Sequence, residues 1–214
     1  MVLASNGKSF SAGADLGWMK RMAGYSYEQN LEDANALAKM LHALNFLPQP
    51  VIGKIQGAAF GGAVGLASCC DIVLASEKAS FCLSEVKLGL IPATISPYVV
   101  NALGLKASRR YFMTAERFFA TKAQELGLVD EVVAPEALSD EVTKFINLLL
   151  GNGPTAVQAA KKLAFDVAYK EINAELMADT SEHIASIRVS EEGQEGLTSF
   201  FEKRPASWIQ SGEE

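Results

Sequence analysis

Glu85 is the residue at which the chemistry of this chain begins. It sits in an apolar neighbourhood, Phe81-Cys-Leu-Ser-Glu-Val86. Desolvation can tune a carboxyl group in such a place into an acid or base that works near neutral pH. Upstream lies Gly57-Ala-Ala-Phe-Gly-Gly62, between a strand-like run at 51–56 and an apolar run at 63–70. A glycine turn between strand and helix leaves free backbone N–H groups at the helix start, where the dipole is positive. Such groups can hold negative charge as it develops on a reacting oxygen. A second turn of the same kind, Phe10-Ser-Ala-Gly-Ala-Asp-Leu16, follows the short apolar start Met1-Val-Leu-Ala4. Two such turns, each donating one N–H, would make a two-donor oxyanion hole. The competing reading is structural: Gly61 and Gly62 permit close helix–strand packing, and Glu85 is a surface acid paired with Lys87.

The elements that must position these residues are legible in outline. Asp71 stops the apolar run and a second strand follows at 72–75, so the order is strand, glycine turn, buried helix, strand. Residues 16–27 are mixed, and Trp18 and Met19, among Lys20 and Arg21, read as the core-facing residues of a surface helix. Leu31, Ala34, Leu37, Ala38, Leu41 and Leu44 recur at helical spacing over 27–45, and Pro48 and Pro50 end that helix. An apolar stretch at 95–103 and a short helix at 107–114 come next. Thr121 is a candidate N-cap, and 127–133 reads as a turn and a short strand. From Pro135 the chain is helical by period, over 137–150, 155–169 and 172–188, with Gly151-Asn-Gly-Pro154 between the first two. This is an α/β chain with a core over 1–134 and an all-helical segment over 135–214.

Composition sets bounds on function. A chain of 214 residues suits one domain with a small appendage. Its net charge of −6 argues against nucleic acid as a partner. Cys69, Cys70 and Cys82 form no Cys-x-x-Cys pair and read as small buried hydrophobes. His42 and His183 lack ligand spacing, so no metal site is expected. The longest apolar run is too short for the ~20 residues of a spanning helix, and no signal peptide is evident. The expectation is a cytoplasmic enzyme with no membrane partner.

Ser11-Ala-Gly-Ala-Asp15, Gly57-Ala-Ala-Phe-Gly-Gly62, Cys70-Asp-Ile72 and Ser84-Glu-Val-Lys-Leu-Gly-Leu-Ile-Pro92 together resemble the enoyl-CoA hydratase/isomerase family, the crotonase fold. The resemblance continues through Ala120-Thr-Lys-Ala-Gln-Glu-Leu-Gly-Leu-Val129 to Phe200-Phe-Glu-Lys-Arg204. It implies a crotonase ββα superhelix core and a helical C-terminal segment that mediates self-association as a trimer or a dimer of trimers (a hexamer). The substrate it implies is an acyl-CoA thioester. Its carbonyl would lie between the N–H groups of Ala14 and Gly62, with Ala12, Ala14, Asp15, Leu16, Gly17 and Gly62 meeting coenzyme A and the acyl group. Coenzyme A belongs to the substrate, and no separate cofactor is implied. Family members usually carry earlier strands and a helix before the position that Met1 occupies here.

The resemblance also bears on the reaction. Typical hydratases of the family use two glutamates; the second is present as Glu85, while Gly65 stands at the first. The catalytic set implied is therefore Glu85 with Ala14 and Gly62. Ile91-Pro-Ala-Thr-Ile-Ser-Pro-Tyr98 and Ala14-Asp-Leu-Gly-Trp-Met-Lys-Arg-Met22 look like the bacterial methylglutaconyl-CoA hydratase group and relatives acting on isoprenoid-derived glutaconyl-CoAs. That implies a hydro-lyase acting on a branched glutaconyl-CoA, methylglutaconyl- or isohexenylglutaconyl-type, from leucine or acyclic terpene breakdown. Lys20, Arg21, Arg109 and Arg110 could meet a substrate carboxylate or CoA phosphates. Ala93, where dienoyl-CoA isomerases of the family carry aspartate, disfavours that reaction. Two alternatives stand: a Δ3-Δ2-enoyl-CoA isomerase using Glu85 alone, and a catalytically silent CoA-thioester-binding or assembly subunit. A dinucleotide fold is weak, because Gly57-x-x-x-Gly61-Gly62 does not match Gly-x-Gly-x-x-Gly.

Overall fold

The computed structural model describes residues 1–209; positions 210–214 of the helical segment expected over 135–214 lie outside them. In chain order the elements are β1 (Val2–Leu3), α1 (Leu16–Met22), α2 (Tyr27–Asn45), β2 (Ile52–Ile55), β3 (Ala58–Phe60), α3 (Gly62–Ser68), β4 (Ile72–Ser76) and β5 (Ser80–Cys82). A 3-10 turn over Glu85–Leu88 then leads to α4 (Ser96–Thr114), β6 (Phe118–Phe119), α5 (Ala120–Glu125), β7 (Glu131–Val133), α6 (Leu138–Leu150), α7 (Pro154–Val167), α8 (Ala174–Val189) and α9 (Glu191–Glu202).

Two strands and then a helix recur in β2-β3-α3 and β4-β5-α4. The first strand of each pair joins a parallel sheet of order β1-β2-β4-β7, and the second joins a smaller sheet of order β3-β5-β6. β2 and β4 are covered on both faces, so they read as near-continuous apolar runs. Leu41, Ile55, Val64, Phe81, Ile95 and Val99 are among the side chains that fill the core. Asp71 and Asp130 tie strand starts, accepting hydrogen bonds from the Val51 and Val73 N–H groups at 2.7 and 2.6 Å.

Contacts divide the chain into two compact units. One holds Met1–Leu47 and Val51–Val142; the other holds Pro48–Pro50 and the chain from Thr143 onward. Within the second unit, Glu192 of α9 accepts hydrogen bonds from the Thr155 and Ala156 N–H groups at 2.9 and 2.7 Å, capping α7. Glu195 is bound by both terminal nitrogens of Arg204 at 2.7 and 2.8 Å, which hold its carboxyl down at about 2.

Three local features differ from the sequence expectation. Ala58–Phe60 is a strand of the second sheet, where a turn leading directly into a helix was expected. The apolar stretch at 95–103 is itself helical, and α4 is two helical pieces that meet at a kink on Gly104, where φ 74° and ψ 158° are not helical. Thr121 does not cap α5; the helix already begins at Ala120, with Phe119 in the cap position and no side-chain bond.

The step from one sheet to the other occurs at Gly57. A Cβ there would lie 2.1 Å from the Lys8 carbonyl oxygen. Backbone cannot yield as a side chain does, so Gly57→Ala should lower unfolding stability by at least about 2 kcal/mol. A urea midpoint equal to that of the wild type would contradict this close approach.

Candidate active site

The smaller sheet brings the sequence-predicted residues together through register. Ser11 forms an isolated parallel bridge with Ala59, and Ala59 pairs with Phe81. These three positions make one row. Three residues beyond the row lie Ala14, Gly62 and Ser84, and Glu85 follows Ser84. Both glycine turns and the acid therefore leave the sheet at the same end.

The first turn is open to solvent. Ala12, Gly13, Ala14, Asp15 and Leu16 are exposed, and Gly17 is half-buried. Gly13 takes φ 125°, a conformation that favours glycine. Asp15 caps α1, accepting the Trp18 N–H at 2.6 Å, and the Trp18 indole N–H reaches Asp33 at 3.0 Å. Trp18 and Met19 are half-buried on a helix with no fully buried residue. Lys20 and Arg21 follow on the same helix.

In the second turn, Gly61 adopts φ 58°, and its N–H donates to the Cys82 carbonyl at 2.8 Å. Gly62 is the first residue of α3 and half-buried, whereas Ala63, Val64 and Gly65 are buried. Among the described residues, neither the Ala14 N–H nor the Gly62 N–H donates to a protein acceptor. Both remain available to a ligand.

Glu85 is aimed at this turn. A Cβ on Gly61 would lie 3.4 Å from Glu85 Oε1, so the carboxyl rests against the Gly61 backbone. The other oxygen, Oε2, is buried and has no hydrogen-bond partner. Burial pushes this carboxyl above the ordinary glutamate range, offset in part by a hydrogen bond from its own backbone N–H. No lysine or arginine pairs with it among the described residues, so the surface pairing with Lys87 is not formed.

Gly65 faces an apolar plug. A Cβ on Gly65 would lie 2.2 Å from Ile95 Cγ2 and 2.6 Å from Ile95 Cβ, and Ile95 is only 2 % exposed. The space into which any side chain at 65 would grow is already filled. Glu85 therefore has no second acid facing it from that position.

The basic candidates separate. Arg109 and Arg110 line a groove of about 630 Å³ on the later part of α4, with Lys106, Met113 and Leu126. Arg110 is held there by both carboxylate oxygens of Glu116 at 2.5 and 2.9 Å. Lys20 and Arg21 instead share α1 with the first turn.

Cys69 and Cys82 are buried, and burial raises the Cys69 thiol to about 12. Among the described residues, no group of three or more His, Cys, Asp and Glu could hold a metal ion. No described helix is long and apolar enough to cross a membrane.

Sequence reasoning missed Ile95 and Gln56. Nothing in Ile91-Pro-Ala-Thr-Ile95 marks the isoleucine as the partner of Gly65. Gln56 did carry a signal, a lone amide closing an apolar strand run.

The Gly65–Ile95 contact predicts strong energetic coupling. Gly65→Ala should cost about 2 kcal/mol in the wild type and far less in an Ile95→Ala background, a coupling of at least about 1 kcal/mol. Additive unfolding energies in the four-member cycle would show that the two positions do not share one space.

Comparison with known proteins gives the family and the fold. The family described as enoyl-CoA hydratase/isomerase matches residues 1–211. A solved enoyl-CoA hydratase from Shewanella pealeana is 53% identical, with a TM-score of 0.93, over 97% of this chain and 77% of that one. The crotonyl-CoA hydratase of Syntrophomonas wolfei is 31% identical over 211 residues, 98% of this chain and 79% of the relative. Enoyl-CoA hydratase AKT6-1 of Alternaria alternata is 39% identical over 160 residues, 75% of this chain but about half (51%) of the relative's length. The fold is the crotonase α/β fold with C-terminal helices. The chain belongs to the enoyl-CoA hydratase/isomerase family.

Proposed function

We propose that this chain is a hydro-lyase that adds water to a 2-enoyl-CoA, with a branched glutaconyl-CoA as substrate. The observation that carries the reading is the Glu85 carboxyl, buried and unpartnered at Oε2, lying against the glycine turn that presents the Gly62 N–H. Water adds to the β-carbon as the double-bond electrons move onto the thioester oxygen. The enolate oxygen is held by the N–H groups of Ala14 and Gly62. A donor of this kind is typically worth about 3 kcal/mol of barrier. Glu85 then delivers its proton to the α-carbon. The proton released by the water passes to the substrate's own carboxylate and on to solvent, from which Glu85 is reprotonated.

Gly65 and Ile95 favour a substrate that supplies this missing carboxylate itself. Lys20 and Arg21, on the helix that follows the first turn, suit the anionic parts of such a ligand better than Arg110, which Glu116 already engages. Charge stabilisation comes from backbone N–H groups and the proton from Glu85, so the proposed reaction calls for no metal or redox group.

A one-carboxyl site also supports a second reading, Δ3-Δ2-enoyl-CoA isomerisation. There Glu85 as carboxylate takes a proton from one carbon and returns it to another. The two readings need opposite forms of Glu85. Hydration uses the protonated acid, so kcat/KM falls as pH rises through its raised pKa. Isomerisation uses the carboxylate, so kcat/KM rises through the same pKa.

Incubation with 3-methylglutaconyl-CoA, crotonyl-CoA and a 3-enoyl-CoA, followed by mass and chromatographic analysis, separates the readings. The expected outcome is gain of one water on 3-methylglutaconyl-CoA, lost by at least about a hundredfold in Glu85→Gln. A shifted double bond at constant mass would establish the isomerase instead. Thioester binding without turnover would mark a silent binding subunit.

Self-association belongs to the same proposal. Tyr169, Ile172, Val189, Phe200 and Phe201 of the second unit are 74–93 % exposed, an unusual concentration of large apolar side chains. Sedimentation velocity should show a trimer or hexamer, and Phe200→Ser with Phe201→Ser should shift it toward monomer. A wild-type monomer at micromolar concentration would end this part of the reading.

A further inference from the structure

Gln56 immediately follows β2 and is half-buried. Its amide nitrogen lies 3.2 Å from the Ser5 carbonyl, 3.0 Å from Ser5 Oγ, 3.2 Å from the Gly7 carbonyl and 3.0 Å from the Ser9 carbonyl. Two amide hydrogens are thus shared among four acceptors, all on the loop that leaves β1. Ser5 Oγ adds a bond to the Ser9 carbonyl at 2.9 Å, closing the loop on itself. The Gln56 backbone is anchored as well, its carbonyl accepting from Ser76 Oγ of β4 at 2.8 Å. Next to it, Gly57 stands against the Lys8 carbonyl so closely that a Cβ would sit 2.1 Å away.

The loop gathered around this amide feeds directly into the first turn. Phe10 is buried, and Ser11 enters strand pairing with β3, its N–H donating to the Ala58 carbonyl at 2.9 Å. Three residues later comes Ala14, in a turn whose residues 12–16 are all exposed. The pairing of Ser11 with β3 sets where that turn begins, while Asp15, bonded to the Trp18 N–H, ties its other end to α1.

We propose that Gln56 is a positioning residue for the first oxyanion donor. Its amide fixes the course of residues 5–9, and through Ser11 the place at which the Ala14 N–H meets the thioester oxygen. The proposal rests on the assignment of Ala14 and Gly62 as donors.

The test uses the full chain with butyryl-CoA labelled with carbon-13 at the thioester carbonyl, a saturated ligand that cannot be hydrated. Hydrogen bonds weaken the carbonyl bond, so its infrared band should fall in frequency when wild-type protein binds. In Gln56→Leu the fall should be smaller. With the substrate, kcat should drop roughly tenfold to a hundredfold while KM stays within about twofold. A purely structural role would lower the Tm and the folded fraction without moving the band of ligand that is bound. Should Gln56→Leu not fold, Gln56→Asn, which keeps the amide one methylene short, should show the same band shift to a lesser degree. A variant band and kcat equal to the wild type would overturn the role of Gln56. A wild-type band unmoved from that of free thioester would overturn the oxyanion assignment itself, and this proposal with it.

Discussion

Two backbone hydrogen bonds between Ser11 and β3 hold the candidate site in one place. The Ser11 N–H donates to the Ala58 carbonyl and the Phe60 N–H donates to the Ser11 carbonyl, each at 2.9 Å. Bonds of this kind contribute only about 1 kcal/mol each net of water. They hold because their surroundings leave the loop little else to do: Phe10 is buried beside them and Gly57 admits the Lys8 carbonyl below. A slip of one residue would turn Ser11 to the other face and carry Ala14 away from Gly62. The chemistry of two turns 48 positions apart in sequence thus depends on one short piece of strand register.

The electrostatic character of the site follows from what surrounds Glu85. An acid with a buried, unpartnered oxygen keeps its proton to higher pH than one in water. A lysine or arginine at contact distance would reverse that effect. Glycine at 61 serves the turn through its positive φ, which side chains rarely adopt. Donor and acid are brought side by side without being bonded to each other, leaving both to act on a third molecule.

Much of this was legible in the sequence where the signal is periodic or local. The helix over 27–45 was read at its observed bounds, because its apolar spacing is regular and Pro48 and Pro50 close it. Ser26 with Gln29 adds a capping box at its start. Glu85 stood out as an acid among apolar neighbours. The strand Ala58–Phe60 was not legible, since three small or aromatic residues carry no alternation and their strand character comes from pairing with β5. Ile95 and Gln56 act through contacts 30 and about 50 residues away in sequence, which no window along the chain can register. Thr121 misled because hydroxyl residues favour cap positions, yet the cap position is Phe119, two residues sooner.

The meeting of Gly65 with Ile95 also limits how this chain can change over generations. An acidic side chain gained at 65 collides with a buried isoleucine, and a smaller residue gained first at 95 opens a void beside α3. Each single replacement is penalised while the other position is unchanged. The two positions are therefore epistatic, and a lineage holding one arrangement does not drift into the other by tolerated single steps. Packing alone thus opposes the gain of an acid at position 65.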